Sequence, residues 1–288
     1  MTGPVVVGLD GSPTSSTALW WAAREAADRN LPLLLLHSWT SRPLDVPLAQ
    51  RTAEGRRLHG EQVLRRAEAE LLDRRPGLTV ATDLTAAPAE QALLDHSRDA
   101  ALLVLGSRAY DSVASFLLGS ISLHVLGLAR CPAVTVRAGD PCVQEGPGRP
   151  AACRDEIVVG VQEPVPDSGQ LLEFAFTTAA EDGTPVRVVR ALPHAAPTAA
   201  GEDGGEAEER TLLAAALAPW REKFPEVPVV ADAAVGPAAR VLLSASARSR
   251  LTVVGRRRLT SRLTWKLGPV AHAALHHLPC PVAVVPHD

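Results

Sequence analysis

The stretch VLGSRAYDSVASFLLGSIS, residues 104–122, decides the fold because it joins three features in one segment. An apolar run ends near Gly106, a loop-like stretch follows, and Gly119 stands directly before a serine and an apolar helical pattern. This order is typical of a buried strand that leads through a loop into a helix. We predict that Gly106 turns the backbone out of the strand and that Ser120 is the N-cap of the helix.

A helix start of this kind can bind an anion. Its free backbone N–H groups and the positive end of the helix dipole attract phosphate, and a glycine lets the backbone approach closely. The alternative is purely structural, with Gly106 as a turn residue and Ser120 as a cap. The segment by itself leaves both interpretations open.

The chain contains an internal duplication. VVVGLDGSP (residues 5–13) matches IVVGVQEPV (residues 157–165), and a Pro- and Gly-rich stretch lies between the two copies. We predict domains at 1–138 and 155–288, joined by a linker at 139–154. Three residue pairs, each 149 positions apart, support the duplication: Gly106 and Gly255, Gly119 and Gly268, and Cys131 and Cys280.

Each half alternates short apolar runs with longer helical patterns. In the first half, the runs predict strands near 4–9, 31–37, 78–83, 101–105 and 133–137, with helices near 14–29, 52–73, 88–97 and 120–130. Alternating units of this kind predict an α/β fold: two tandem doubly wound domains, each a five-stranded parallel sheet of order 3-2-1-4-5 with helices on both faces. In the second half, the acidic residues 200–209 are predicted to form a loop.

Composition excludes several classes of function. The net charge of -3 gives no reason to expect nucleic acid or an acidic membrane as partner. We see neither a membrane-spanning run nor a signal segment, and therefore expect a cytoplasmic protein. The four cysteines form no metal-binding spacing, so we expect no metal ligands. A Cys142–Cys153 bridge is conceivable, but free thiols are favoured in a reducing compartment.

Familiar catalytic and phosphate motifs are missing. The sequence has no GxxxxGK[ST], GxSxG or HExxH, and its two lysines, Lys223 and Lys266, both lie in the second half. His37 follows an apolar run and is interpreted as a packed residue rather than a base. We therefore expect no catalytic residues.

Several segments together resemble the universal stress protein family: VVVGLDGSP, LLLLHSW (residues 33–39), GSRAYDSVASFLLGS (residues 106–120) and ARCPAVTV (residues 129–136). The nucleotide-binding branch of that family carries G-x2-G-x9-G-[S/T]. The spacing is matched here, although an alanine replaces the middle glycine. These motif positions are Gly106, Ala109, Gly119 and Ser120.

The resemblance implies that the first domain binds ATP or a related adenine nucleotide, with Mg²⁺. It places Asp10 against the adenosine and the backbone of Ser38 beside the adenine. The alternative for Asp10 is an Asx-type turn ahead of Gly11 and Ser12. The full set of implied ATP-binding residues is Leu9, Asp10, Ser38, Gly106, Arg108, Ala109, Gly119, Ser120, Ile121 and Ser122.

The second half departs from this pattern. Proline has no backbone N–H or hydroxyl for a phosphate, and the run of arginines at 256–258 is interpreted as a solvated face rather than an anion site. We predict that this half is a degenerate copy, retained for pairing with the first half in an intramolecular pseudo-dimer; a homodimer is an alternative. The replacements are Gln162 for Asp10, Arg190 and Ala191 for His37 and Ser38, Arg258 for Ala109, and Pro269 for Ser120.

The leading functional hypothesis is therefore a nucleotide-binding module of a stress response or signalling pathway. One alternative is a slow ATP hydrolase or phosphotransferase, which would need a base or a phosphate-binding lysine. Another is a scaffold that binds no nucleotide. This alternative gains support if Ala109 blocks the pocket.

Overall fold

The computed structural model describes residues 3–40, 52–109, 116–117, 119–138, 140, 143, 156–162, 168–193, 201–257 and 267–287. The chain divides into two compact units, Met1–Arg149 and Pro150–Asp288. Most of the predicted linker at 139–154 lies outside the described residues, and so do Cys142 and Cys153.

The first unit is a parallel sheet in the order β3-β2-β1-β4-β6, with a short strand, β5, antiparallel to β4. The α/β class is therefore confirmed, whereas the sequence does not predict β5. The strands are β1 (Val5–Gly8), β2 (Leu33–Ser38), β3 (Val80–Thr85), β4 (Leu102–Ala109), β5 (Phe116–Leu117) and β6 (Ala133–Arg137). The helices are α1 (Pro13–Asp28), α2 (Ala53–Arg74), α3 (Ala89–His96) and α4 (Ser120–Leu128).

The core of this unit lies along its central strands. Val5, Leu33, Leu35 and Leu102 have no exposed surface, and Trp21 of α1 is 2% exposed. Continuous apolar runs of this kind are expected where helices cover a parallel sheet on both faces. Burial of this apolar surface stabilises the sheet.

The predicted turn at Gly106 is wrong, because β4 continues through this glycine to Ala109. Gly106 pairs with Val136 of β6 inside the sheet. A Cβ atom on Gly106 would lie 2.7 Å from the carbonyl oxygen of Thr14, in the first turn of α1. Glycine is needed here because the backbone of α1 approaches β4 closely.

The predicted N-cap at Ser120 is also wrong. Gly119 has the extended backbone of an N-cap, with φ -63° and ψ 154°, and no side chain caps α4. The Gly119 carbonyl accepts the first helical hydrogen bond, from the N–H of Leu123 at 3.1 Å. Ser120 is therefore the first helical residue.

The second unit repeats the first, with parallel strands in the order β9-β8-β7-β10-β11. The loop predicted at 200–209 is wrong, because α6 begins at Gly201 and includes these acidic residues. Two of them, Glu206 and Glu209, pair with arginines. The strands are β7 (Glu156–Val161), β8 (Val186–Leu192), β9 (Val229–Val235), β10 (Ser249–Arg257) and β11 (Val282–His287). The helices are α5 (Gly169–Asp182), α6 (Gly201–Ala216), α7 (Ala218–Lys223), α8 (Ala238–Ala245) and α9 (Pro269–His277).

Candidate functional site

The candidate site begins where β1 ends. In a doubly wound sheet, ligands bind beyond the carboxyl ends of the strands, at the point where strand order reverses, which is here between β1 and β4. Leu9 is 7% exposed, and its N–H donates to the Leu36 carbonyl at 2.8 Å. The Leu9 carbonyl lies 2.8 Å from Nδ1 of His37. Because a carbonyl can only accept, the His37 proton lies on Nδ1.

Asp10 forms an Asx turn. Its Oδ1 accepts a hydrogen bond from the N–H of Ser12 at 2.9 Å, and Gly11 between them has φ +80°. Ser12 is in turn the N-cap of α1, with its Oγ accepting from the N–H of Ser15 at 3.2 Å. The Asx turn, which was the alternative role for Asp10, is thus formed. Its side chain is nevertheless exposed at the carboxyl end of the sheet.

His37 connects the β1 end to helix α2. The residue is 7% exposed, which confirms that it is packed, and its ring meets the His59 ring edge-on at 6.5 Å between centroids. Burial lowers the pKa of His37, and the nearby His59 lowers it further, although the Leu9 carbonyl and Asp10 act in the opposite direction. The arrangement favours a neutral ring that donates from Nδ1.

Ser38 ties the end of β2 to the loop that follows β3. Its Oγ donates to the carbonyl of Ala87 at 2.7 Å, and Thr40 Oγ1 donates to the same oxygen at 3.2 Å. The Ser38 side chain therefore has a structural role, and a ligand would use the backbone of this segment.

The end of β4 is held by a contact that the sequence does not reveal. Arg137, at the end of β6, is 2% exposed and donates from Nη1 to Ser107 Oγ at 2.8 Å. The bond fixes the residue between Gly106 and Arg108, two positions where the family resemblance places phosphate. The side chains of Arg108 and Ala109 lie outside the described residues.

The start of α4 is open. A Cβ added to Gly119 would meet no atom within 4 Å, Ser120 and Ile121 are exposed, and Ser122 is partly exposed. Since β4 and β6 are parallel, α4 between them must begin at the edge where β1 and β4 end. The structure thus places Leu9, Asp10, Ser38 and Gly106 at the carboxyl edge of one sheet, and Gly119–Ser122 at the start of α4.

The same edge of the second unit has different chemistry. Gly160 pairs with Val189 in the second unit as Gly8 pairs with Leu36 in the first. The next residue of β8, Arg190, is therefore equivalent to His37. Gln162 is exposed where Asp10 would be, and α9 begins with Gly268 as N-cap and Pro269 as first residue. This helix start lacks one N–H donor and the serine hydroxyl. Arg258 lies outside the described residues.

The described residues contain neither a metal-binding cluster nor a membrane-spanning helix. Among the residues that the structure describes, no group of three or more His, Cys, Asp or Glu side chains is arranged to hold a metal ion. Within the same ranges, no helix is both long and apolar enough to cross a membrane.

Comparison with known proteins decides the family. The model of the universal stress protein family matches residues 1–137 and 154–286. The chain belongs to the universal stress protein family. A universal stress protein of Mycobacterium tuberculosis is 31% identical over 301 residues, covering 97% of this chain and 96% of the relative. The duplicated, two-domain organisation is confirmed by the two matched ranges.

A solved structure shows the same fold over nearly the whole chain. A universal stress protein of Archaeoglobus fulgidus has a TM-score of 0.72 at 15% identity, covering 98% of each chain. A universal stress protein from the same organism, solved in complex with dAMP, is 22% identical and matches 46% of this chain and 96% of its own, with a TM-score of 0.35.

Proposed function

We propose that the first unit binds one adenine nucleotide, ATP with Mg²⁺, and that the protein is a nucleotide-dependent module of a stress response. The observation that carries this proposal is the difference between two equivalent sheet edges. The first has an exposed carboxylate, Asp10, and a helix start with a hydroxyl, Ser120. The second has Gln162 and Pro269 at these places.

Each residue has a distinct part in this binding. Asp10 accepts hydrogen bonds from the ribose hydroxyls while its turn holds the start of α1, and the backbone beside Leu9 and Ser38 borders the adenine. The first N–H groups of α4 and the Ser120 hydroxyl donate to the phosphates. Gly119 brings the backbone close to them because it has no side chain.

Mg²⁺ is proposed as a companion of the triphosphate. The described residues form no metal cluster, and Mg²⁺ commonly retains waters and binds through substrate phosphates. The two lysines of the sequence lie in its second half, so a lysine of the first unit cannot assist phosphoryl transfer. We expect turnover well below about 1 s⁻¹, because phosphoryl transfer needs a positioned nucleophile and charge stabilisation.

The test is calorimetry with ATP and Mg²⁺ on the full chain. We expect one site per chain. Asp10→Asn keeps the acceptor for the Ser12 N–H but removes the charge, and should weaken binding about tenfold or more. Gln162→Asn is the matched control in the second unit and should leave the dissociation constant unchanged. Two equal sites, or equal effects of the two substitutions, would contradict the proposal.

A further inference from the structure

Helices α2 and α6 occupy equivalent places in the two units. Leu64 of α2 and Leu213 of α6 are 149 residues apart in the sequence, and both are buried, at 4% and 3% exposed. The strands that follow them agree, since Val80 pairs with Leu33 and Val229 pairs with Val186. By this alignment Gly60 is equivalent to Glu209.

In the second unit, charged side chains of α6 reach the carboxyl ends of the strands. Glu209 forms an ion pair with Arg190 of β8. Glu206 Oε1 accepts from the N–H of Val235 at 2.8 Å, and Arg210 Nη2 donates to the carbonyl of Ala233 at 3.2 Å. We call Arg190, Glu206, Glu209 and Arg210 the α6 latch.

In the first unit, the α2 residues equivalent to the α6 latch form a single ion pair, which runs along the helix. Arg57 and Glu61, which stand for Glu206 and Arg210, pair with each other at 3.2 Å along α2, and the Arg57 side chain is 65% exposed. Gly60 has no side chain to reach β2. Glu206 and Arg210 pair in the same way along α6, at 2.9 Å. The difference is that Glu206, Glu209 and Arg210 of α6 also contact the strand ends.

The side-chain volumes at the positions of Gly60 and Leu84 also differ between the two units. A Cβ on Gly60 would lie 2.6 Å from His37 Cδ2 and 2.7 Å from Leu84 Cδ1. At the equivalent of Leu84 the second unit has Ala233, which is fully buried. Three coordinated differences therefore separate the units. They are His37, Gly60 and Leu84 in the first, and Arg190, Glu209 and Ala233 in the second.

We propose that the α6 latch closes the nucleoside end of the second site, and that the first site lacks this barrier because His37, Gly60 and Leu84 cannot form the ion pair. The Arg190–Glu209 pair lies near the end of β8. At the equivalent place in the first unit, the His37 ring instead donates from Nδ1 to the Leu9 carbonyl. The inference rests on the proposed nucleotide binding and adds a determinant of which unit binds, independent of Asp10 and Ser120.

The test swaps these three residues between the two units. The variant His37→Arg/Gly60→Glu/Leu84→Ala builds the latch residues into the first unit, and Arg190→His/Glu209→Gly/Ala233→Leu makes the reverse exchange as the matched control. We expect the first variant to bind ATP about tenfold more weakly or worse, the size of one lost charge-assisted hydrogen bond. The control should bind one ATP with unchanged affinity, because Gln162 and Pro269 remain.

Circular dichroism and thermal melting establish that each variant is folded. A folded first variant with the affinity of the unmodified chain would overturn the inference while the proposed function stands. Should that variant not fold, hydrogen exchange on the unmodified chain decides: ATP should slow exchange at 37–40 and 55–62 and leave 190–192 and 205–211 unchanged. Equal slowing in both units would refute the latch.

A chain that binds no ATP would refute the proposed function instead. The latch is then judged without ligand, by hydrogen exchange at the carboxyl ends of β8 and β9. Because the latch covers these ends, their amides should exchange more slowly than those at the ends of β2 and β3. Equal or faster exchange there would overturn it.

Discussion

The substitutions Gly119→Asp and Gly268→Asp form a matched pair that tests which helix start binds phosphate. Both glycines are N-caps with extended backbone, at φ -63° and ψ 154° for Gly119 and φ -61° and ψ 160° for Gly268. A Cβ on either glycine meets no atom within 4 Å. Aspartate is itself a good N-cap, so each substitution should change the unfolding free energy by only a few tenths of a kcal/mol.

The effect on binding follows from charge. At an effective dielectric constant of ~20, two like unit charges ~5 Å apart repel by about 3 kcal/mol. If the phosphates bind at the start of α4, Gly119→Asp should therefore raise the dissociation constant for ATP by about a hundredfold. Gly268→Asp should leave it unchanged, because α9 begins with a proline and has no proposed phosphate.

Calorimetry with ATP, ADP and AMP measures both effects, and thermal melting checks stability. The loss should shrink from ATP to AMP as phosphates are removed, and it should shrink with added salt to the extent that the charges are exposed. Unchanged ATP binding by Gly119→Asp, or an equal loss in both variants, would refute the assignment of the α4 start as the phosphate site.

Three further outcomes are expected. Gly106→Ala should lower the unfolding free energy by about 1–3 kcal/mol, because the added Cβ would lie 2.7 Å from the Thr14 carbonyl oxygen. Gly255→Ala should lower it by less, because the atom nearest to its added Cβ is at the end of the His287 side chain. Denaturant titration compares the two variants. The pKa of His37 is lowered by burial, so the folded state binds fewer protons than the unfolded state; stability should be full above about pH 6.5 and fall as the pH drops below it, less so in His37→Asn. Burial raises the pKa of Cys131 to about 12, so this thiol should resist alkylation at pH 8 in the folded protein and react after unfolding.

The sequence was sufficient for the sheet because parallel strands buried on both faces leave an apolar run with no polar alternation, as at Leu33–Leu36. It misplaced local boundaries where a tertiary contact, rather than a residue's own preference, sets them. Glycine suggested a turn at Gly106, yet the reason for glycine is the α1 backbone packed on β4. Serine suggested an N-cap at Ser120, but Gly119 already closes the first helical turn.

The α6 latch shows why a candidate site is harder to predict than a fold. Residues 200–209 are acidic and contain glycines, so their composition favours a loop. In the structure, Glu206 and Glu209 are held by partners from β9 and β8, distant in sequence. The side chain of Glu209 also goes with a smaller neighbour, because Ala233 stands where the first unit has Leu84. A Cβ on Gly60, the equivalent of Glu209, would lie 2.7 Å from Leu84 Cδ1.

Motif positions such as Gln162 and Pro269 indicate that binding groups have been lost, and a loss of that kind can be read from one position at a time. Closure of a pocket cannot be read from one position at a time. It requires a side chain, its partner and the space around both to change together. If the exchange of three residues in each unit behaves as proposed, the second unit fails to bind for two separable reasons. It lacks the carboxylate acceptor and the phosphate donors of the first site, and its own ion pair already occupies the nucleoside end. Restoring the motif alone, by Gln162→Asp with Pro269→Ser, should then leave ATP at one site per chain, and only the addition of Arg190→His/Glu209→Gly/Ala233→Leu should raise the stoichiometry to two. A second site gained from the motif substitutions alone would show that the ion pair yields to the ligand and is no barrier to it.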